Sequence, residues 1–293
     1  DLGATGRGED MEITTYLEKA FSSELSGNVV DLCPVGALTS KPYAFNARPW
    51  ELKKTESVDV MDAQGSNIRV DTRGPQVMRV LPRLNEEVNE EWISDKARHA
   101  CDGLSRQRLD RPYIRVNGKL KPATWAEAFA AIAAKVKATA PDRIAAIVGD
   151  LAAAEEIKAL KDLMTALRVT NLDCRQDGAK LKGGPRQSYL FNSTIAGVEA
   201  ADALLLVGAN PRHDAPVLNA RIRKSWINHG LKVANLGPAV DLTYPVEQLG
   251  TDINVLAAIA NGSHPFAKVL SEAKRPMIVL GSGAITRTDG AAI

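Results

Sequence analysis

The 293-residue chain carries 37 Lys and Arg against 35 Asp and Glu, and this formal net charge of +2 is too near neutrality for electrostatic capture of nucleic acid. It is 45% hydrophobic and 25% charged, the balance of a folded protein, and its length suits two domains, or one large and one small. No apolar run approaches the roughly 18 residues of a membrane span, so no direct membrane insertion is expected and any link to a membrane must come through partners.

Residues 1–50 are punctuated by Gly and Pro and show little periodicity, apart from a helical candidate around Thr15–Phe21. Beyond Ser57 the pattern has period two. Ile68, Val70 and Thr72 alternate with Arg69, Asp71 and Arg73, and Gly74-Pro75 turns the chain into Val77–Leu81. This predicts a small antiparallel unit, followed by an acidic, exposed segment at Asn85–Glu91. Tyr113–Val116 and Lys119–Lys121 flank Asn117-Gly118, a two-residue hairpin signal.

After Pro122 the grammar changes. Thr124-Trp-Ala-Glu127 is a capping box, and Trp125, Phe129, Ile132 and Val136 mark one helical face. Ile144–Gly149 is an apolar strand, and the next helix carries Ile157, Leu160, Met164 and Leu167. Asp173–Gly197 has no clear pattern. Ala203–Gly208 is a buried strand, followed by a helix with Pro216 near its start and Leu218, Ile222 and Trp226 on one side. Leu231–Leu236 and Pro276–Gly281 are further strands, with helices at Val255–Ala260 and Phe266–Ala273 between them. Apolar strands alternating with amphipathic helices predict a doubly wound α/β domain over Pro122–Ile293, its parallel sheet covered on both faces. The chain opens without Met, and Ser282-Gly283-Ala284 turns toward a helix that stops at Ile293. These ends predict a piece of a larger polypeptide.

Few motifs carry chemistry. Gly208-Ala-Asn-Pro211 follows a strand and precedes a helix, where backbone N–H groups could meet a phosphate with help from Arg212 and His213; an ordinary tight turn has the same composition. Gly281-Ser-Gly283 is a second such turn, and Lys180–Arg186 looks like a solvated basic loop. His99, His213, His229 and His264 lack i+4 partners and suit surface or capping positions. No Gly-x-Ser-x-Gly elbow or acid–base pair appears, so the chain offers no catalytic centre of its own.

The three cysteines, Cys33, Cys101 and Cys174, have no CxxC spacing and cannot close a metal site alone. A reducing compartment is the default. Cys33-Pro34-Val-Gly-Ala37 presents a thiol before Pro and small residues, as the last ligand of an iron–sulfur cluster often is; a structural cysteine is the other reading.

The stretch Ser26–Phe45, continuing through Ala47-Arg-Pro-Trp-Glu51, resembles the large iron–sulfur subunit of respiratory NADH:quinone oxidoreductase, complex I. Asp1–Asp10, Thr55–Asp62, Asn89–Lys96 and Cys101–Leu104 share that resemblance. Gly208–Arg221 looks like the molybdopterin-oxidoreductase-like domain of the same large subunit.

The resemblance implies three parts: 1–50 as the tail of a ferredoxin-like region, 51–111 as a small 4Fe-4S-type domain, and 112–293 as the α/β domain. It implies [4Fe-4S] and [2Fe-2S] clusters in the intact subunit, none complete here. Cys33 would be the fourth ligand of a [4Fe-4S] cluster, with a CxxCxxC trio upstream of Asp1. Some relatives bind another cluster in the small domain through C-x2-C-x3-C, about 27 residues, and a fourth Cys. Asp59, Asp62, Ser66 and Ser94 stand at the corresponding positions here, so that site would lack its cluster, and Cys101 would be structural. No molybdopterin is implied. The expected role is electron transfer and scaffolding among other peripheral-arm subunits, at the cytoplasmic face of a bacterial inner membrane or the mitochondrial matrix side. A molybdopterin-dependent oxidoreductase and a nucleotide-binding module are the competing readings.

Overall fold

The structure is a computed structural model that describes residues 2–15, 20–174, 177–181, 184–186 and 189–293. The chain forms two compact units, Asp1–Asp102 with Lys180–Ile293, and Gly103–Ala179.

In the first unit, strands β1 (Leu2–Thr5) and β2 (Glu12–Thr15) pair antiparallel. Thr15 therefore closes a strand rather than opening the expected helix, because Ile13-Thr14-Thr15 is a β-branched run. Residues 16–19 of that candidate lie outside the described residues, and Phe21 has no regular structure. Helix α1 (Asn28–Leu32) follows, then an antiparallel meander of β3 (Lys53–Val58), β4 (Asn67–Arg73) and β5 (Gln76–Pro82), and helix α2 (Asp95–His99). Ile68, Val80, Ile93 and Ala97 form its core, with Val70, Val77 and Cys101 packed against them.

Two expectations fail here. Asp71 belongs to the polar side of the alternation, yet it is fully buried beside a register shift at Asp71/Thr72, held by Arg69 at 2.9 Å and Arg79 at 2.8 Å. The segment at Asn85–Glu91 is not uniformly exposed. Asn89 is buried and donates to the carbonyls of Arg83, Glu90 and Trp92, which pins the loop from inside.

The second unit begins with the hairpin β6 (Tyr113–Val116) and β7 (Lys119–Pro122). Asn117 and Gly118 take φ of 49° and 77°, the two positive values that this turn demands. Thr124 and Glu127 cap helix α3 (Trp125–Lys137) reciprocally. Strand β8 (Ala145–Ile147) pairs parallel with β9 (Asn171–Asp173), and helix α4 (Ala154–Ala166) connects them. Trp125, Phe129 and Ile132 share a face of α3 but are exposed, as is Ile147.

Residues 180–293 return to the first unit. Strands β10 (Ala203–Val207), β11 (Lys232–Leu236), β12 (Glu247–Gln248) and β13 (Pro276–Leu280) form a parallel sheet of order β12-β11-β10-β13. The helices are α5 (Pro211–Asp214), α6 (Pro216–His229), α7 (Asn254–Ala260), α8 (Pro265–Glu272) and α9 (Ser282–Ile285). Leu204 and Leu206 face a cluster with Ile222, Leu218 and Trp226 of α6, whereas Leu205 and Val207 face Ile259 and Phe266. The alternation of β10 thus buries both faces of the sheet, as a doubly wound α/β arrangement requires. The expected terminal helix is only α9, which ends at Ile285 instead of running to Ile293. No described helix is long and apolar enough to cross a membrane.

Candidate functional site

Cys33 is the C-cap of α1, and its N–H bonds to the carbonyl of Val29 at 3.1 Å. The residue is half-buried. Hydrogen bonds from the backbone of Leu38 and Val35 lower its pKa below the ordinary thiol value, against a smaller opposing effect of burial. When protonated, the thiol donates to the Val35 carbonyl at 3.2 Å. A thiolate favoured by its backbone surroundings is a fitting ligand for a soft metal cluster. The donor count is one: among the described residues no three His, Cys, Asp or Glu side chains converge to hold a metal.

The turn is fixed by residues that sequence patterning does not flag. Asn28 is buried and exchanges hydrogen bonds with the backbone of Ile93, donating to its carbonyl at 2.8 Å and accepting its N–H at 3.2 Å. Arg98, on α2, pairs with Asp31 at 2.6 Å and donates to the Asn28 side-chain oxygen at 3.2 Å. Asp95 accepts from the Ser26 hydroxyl and from the Gly27 N–H. Gly27 has no spare room, since a Cβ there would lie 2.6 Å from Nε of Arg98. The segment preceding Cys33 is thus clamped to the small β unit. Near it, a cavity of about 660 Å³ is lined by Val35, Leu38, Tyr43, Arg79, His99 and Cys101. Arg79 stacks on the Tyr43 ring at 4.4 Å. Cys101 packs on the core, donates to the Arg98 carbonyl at 3.7 Å, and has its pKa raised by burial.

Asp59, Asp62, Ser66 and Ser94 come together in the fold. The N–H of Asp59 bonds to the Ser66 carbonyl at 2.8 Å, and the Ser94 hydroxyl donates to Asp62 at 3.3 Å. Asp59, Ser66 and Ser94 are buried, and every side chain in the group offers oxygen.

At the ends of the parallel strands, the two glycine turns fill one another. A Cβ on Gly208 would lie 2.4 Å from the Ala284 nitrogen, and the Gly283 N–H is bonded to the Gly208 carbonyl at 3.0 Å. Gly208 itself takes φ of 59°. A cavity of about 540 Å³ opens beside them, lined by Asn210, Asp214, Gly237, Ser282 and Arg287 among others. The Asn210 N–H is already taken by the Asp214 carboxylate at 3.1 Å. Arg212 is spent as well: it pairs with Glu24 and with Asp241, each at 2.9 Å. His213 and His229 are exposed, and His264 caps α8 by accepting the Phe266 N–H at 3.1 Å. Part of the basic loop at Lys180–Arg186, residues 182 and 183, lies outside the described residues.

A second set of charges ties the acidic loop after β5 to α6. Arg221 pairs with Glu199 at 2.6 Å and donates to the Glu86 carbonyl at 2.7 Å, and Lys224 pairs with both Glu90 and Glu199. Burial raises the pKa of Glu90, but Lys224 and Arg221 overcome it and leave the net shift downward. Glu24 is lowered in the same way by Arg212.

Residues 108–293 match the model of the family described as Molybdopterin oxidoreductase, more than half of the chain. Residues 52–102 match a 4Fe-4S domain described as NADH-ubiquinone oxidoreductase NDSU1/NuoG-like, and 1–39 match the ferredoxin-like domain of NADH-quinone oxidoreductase subunit 3. The chain is 54% identical over 293 residues to the G subunit of NADH-quinone oxidoreductase from Rickettsia felis, covering all of this chain and 44% of that protein. It is 55% identical over 295 residues to the mitochondrial NADH-ubiquinone oxidoreductase 78 kDa subunit of Neurospora crassa, covering 99% of this chain and 39% of that one. The chain belongs to the molybdopterin oxidoreductase family. It spans less than half the length of these relatives.

Proposed function

We propose that the chain is part of an electron-transfer and scaffold subunit of a complex I-type NADH:quinone oxidoreductase. Cys33 serves there as one thiolate ligand of a [4Fe-4S] cluster whose other ligands come from outside these 293 residues. The observation that carries this reading is the clamped turn: a partly exposed sulfur, surrounded by amides and fixed to α2 through Asn28, Asp31, Asp95 and Arg98. The cluster would supply one-electron storage. The chain's own contribution is to hold the sulfur still, keep its thiolate favoured and point N–H donors at it, which raises the potential of an anionic centre. Leu32, Val35, Phe45 and Trp50 are exposed around this region and would be covered by cluster-bearing or neighbouring subunits of the peripheral arm. The division at 50 and 111 into ferredoxin tail, small domain and α/β domain is part of the same proposal, as is a peripheral location on the cytoplasmic or matrix side of the membrane.

The α/β domain acts as a frame. Arg212 holds Glu24, ahead of the Cys33 turn, while Arg221 and Lys224 hold the loop after β5. The strand-end turns do not suit the phosphates of the family's pterin dinucleotide, because the Asn210 N–H is bonded to the Asp214 carboxylate and Arg212 is paired with Glu24 and Asp241. No step is therefore assigned to that group, and molybdopterin-dependent oxidation is not favoured. The test is Cys33→Ser in the assembled complex, read by low-temperature EPR and iron content. Loss or strong perturbation of one cluster signal is expected; an unchanged spectrum with normal iron would refute the assignment.

A further inference from the structure

The small β domain carries a set of buried polar atoms that the electron-transfer role does not use. Asp59 is 4% exposed; one carboxylate oxygen accepts the Met61 N–H at 3.2 Å, and the other is buried without a partner. Ser66 is 1% exposed, and its hydroxyl has no partner either. Gln64, between them in sequence, donates its amide N–H to the Val88 carbonyl at 2.6 Å and leaves its side-chain oxygen buried and unpaired. A native interior rarely leaves three such oxygens unsatisfied within eight residues of chain, because each costs about 1–3 kcal/mol when dry. Asp62 and Ser94 are joined to each other beside Asp59; Asp62 also accepts the Gln64 N–H at 3.0 Å, and Ser94 accepts the Ala97 N–H at 3.1 Å.

All these donors are hard oxygens, two of them carboxylates, and the two negative charges match a doubly charged ion. We propose that Asp59, Asp62, Ser66 and Ser94, with the Gln64 oxygen, form a binding site for one small hard divalent cation of the magnesium or calcium kind. This is chemistry opposite to that of a thiolate cluster: no electron is carried, and the ion serves to neutralise and knit the loop between β3 and β4 to the start of α2. Lys96, on α2 beside Ser94, is exposed to solvent.

The inference is independent of the role of Cys33. The experiment is titration of the EDTA-treated protein with CaCl2 and, separately, MgCl2 by isothermal calorimetry, with thermal midpoints measured in parallel. One saturable event per chain is expected for at least one ion, with Kd at or below about 1 mM and a midpoint rise of about 5 °C once the ion is some 100-fold above Kd. Asp59→Asn and Ser66→Ala should each weaken binding at least about tenfold. Ser66→Ala removes only a neutral oxygen, so it decides the matter should Asp59→Asn fail to fold. Absence of saturable heat for both ions up to about 10 mM would mean that water alone satisfies these atoms and would overturn the proposal. Binding that survives unchanged in Ser66→Ala would place the ion elsewhere and overturn it equally.

Discussion

The turn at Cys33 and the pocket at Asp59, the two sites proposed to meet an inorganic group, are built in opposite ways. At Cys33 a single sulfur stands at the surface, its amide surroundings supplied by the loop and its position fixed by buried pairs one layer behind. At Asp59 the donors are buried, numerous and oxygen only, and nothing pairs with several of them. The first offers one sulfur; the second offers several oxygens, a different donor chemistry. Residues 52–102, which match a 4Fe-4S domain model, contain one cysteine, Cys101, and it packs against the small domain's core.

Substitutions can separate the two. The largest expected effect is that of Arg98→Ala, which strips Asp31 and Asn28 of a guanidinium that is 6% exposed. Because Asp31 keeps some solvent, a loss of about 2–3 kcal/mol is expected in denaturant unfolding. The cysteine turn should loosen, giving faster proteolysis near residues 25–40. A loss below about 0.5 kcal/mol would show that the clamp is not structural.

Asp59→Asn should act in the other direction. In metal-free buffer at neutral pH it should stabilise the protein by about 1 kcal/mol, because it removes a buried charge. The sign follows from the raised pKa. The penalty of the charged form is fully present above the folded value and vanishes below the ordinary 3.8, so the advantage of the variant should fade as pH falls toward 4. Glu24 and Glu90 behave inversely. Their folded pKa values lie below the ordinary 4.5, so their pairs stabilise the fold above that pH and release it on further acidification. Glu24→Gln should accordingly flatten the acid side of the stability profile below about pH 4.5. A profile that kept its acid slope would remove Glu24 from that account.

The smallest effect is kinetic. With its pKa lowered by backbone amides, Cys33 should react with iodoacetamide at neutral pH at least about tenfold faster than Cys101, whose thiol is buried and raised. Equal rates followed by peptide mapping would erase the distinction between the two sulfurs.

Local chemistry made much of this legible from the residues. Asn117-Gly118 allows the positive φ pair, Thr124 and Glu127 satisfy each other's backbone, and the run of leucines in β10 can only be a strand buried on both faces. What stayed hidden depends on residues far apart in sequence. Nothing in the vicinity of Asn28 announces Ile93 and Arg98, 65 and 70 positions away. Arg212 sits where a phosphate ligand would, and only the fold reveals Glu24 and Asp241 at its ends. Asp71 looks solvated in a strict alternation, until a bulge carries it between two arginines.

The central claim is that the Cys33 sulfur holds iron. Low-temperature EPR of the intact NADH-reduced complex carrying Cys33→Ser tests it most directly. The account predicts the loss or shift of one [4Fe-4S] signal, with the remaining signals intact. A spectrum and iron stoichiometry identical to those of the unsubstituted complex would contradict it.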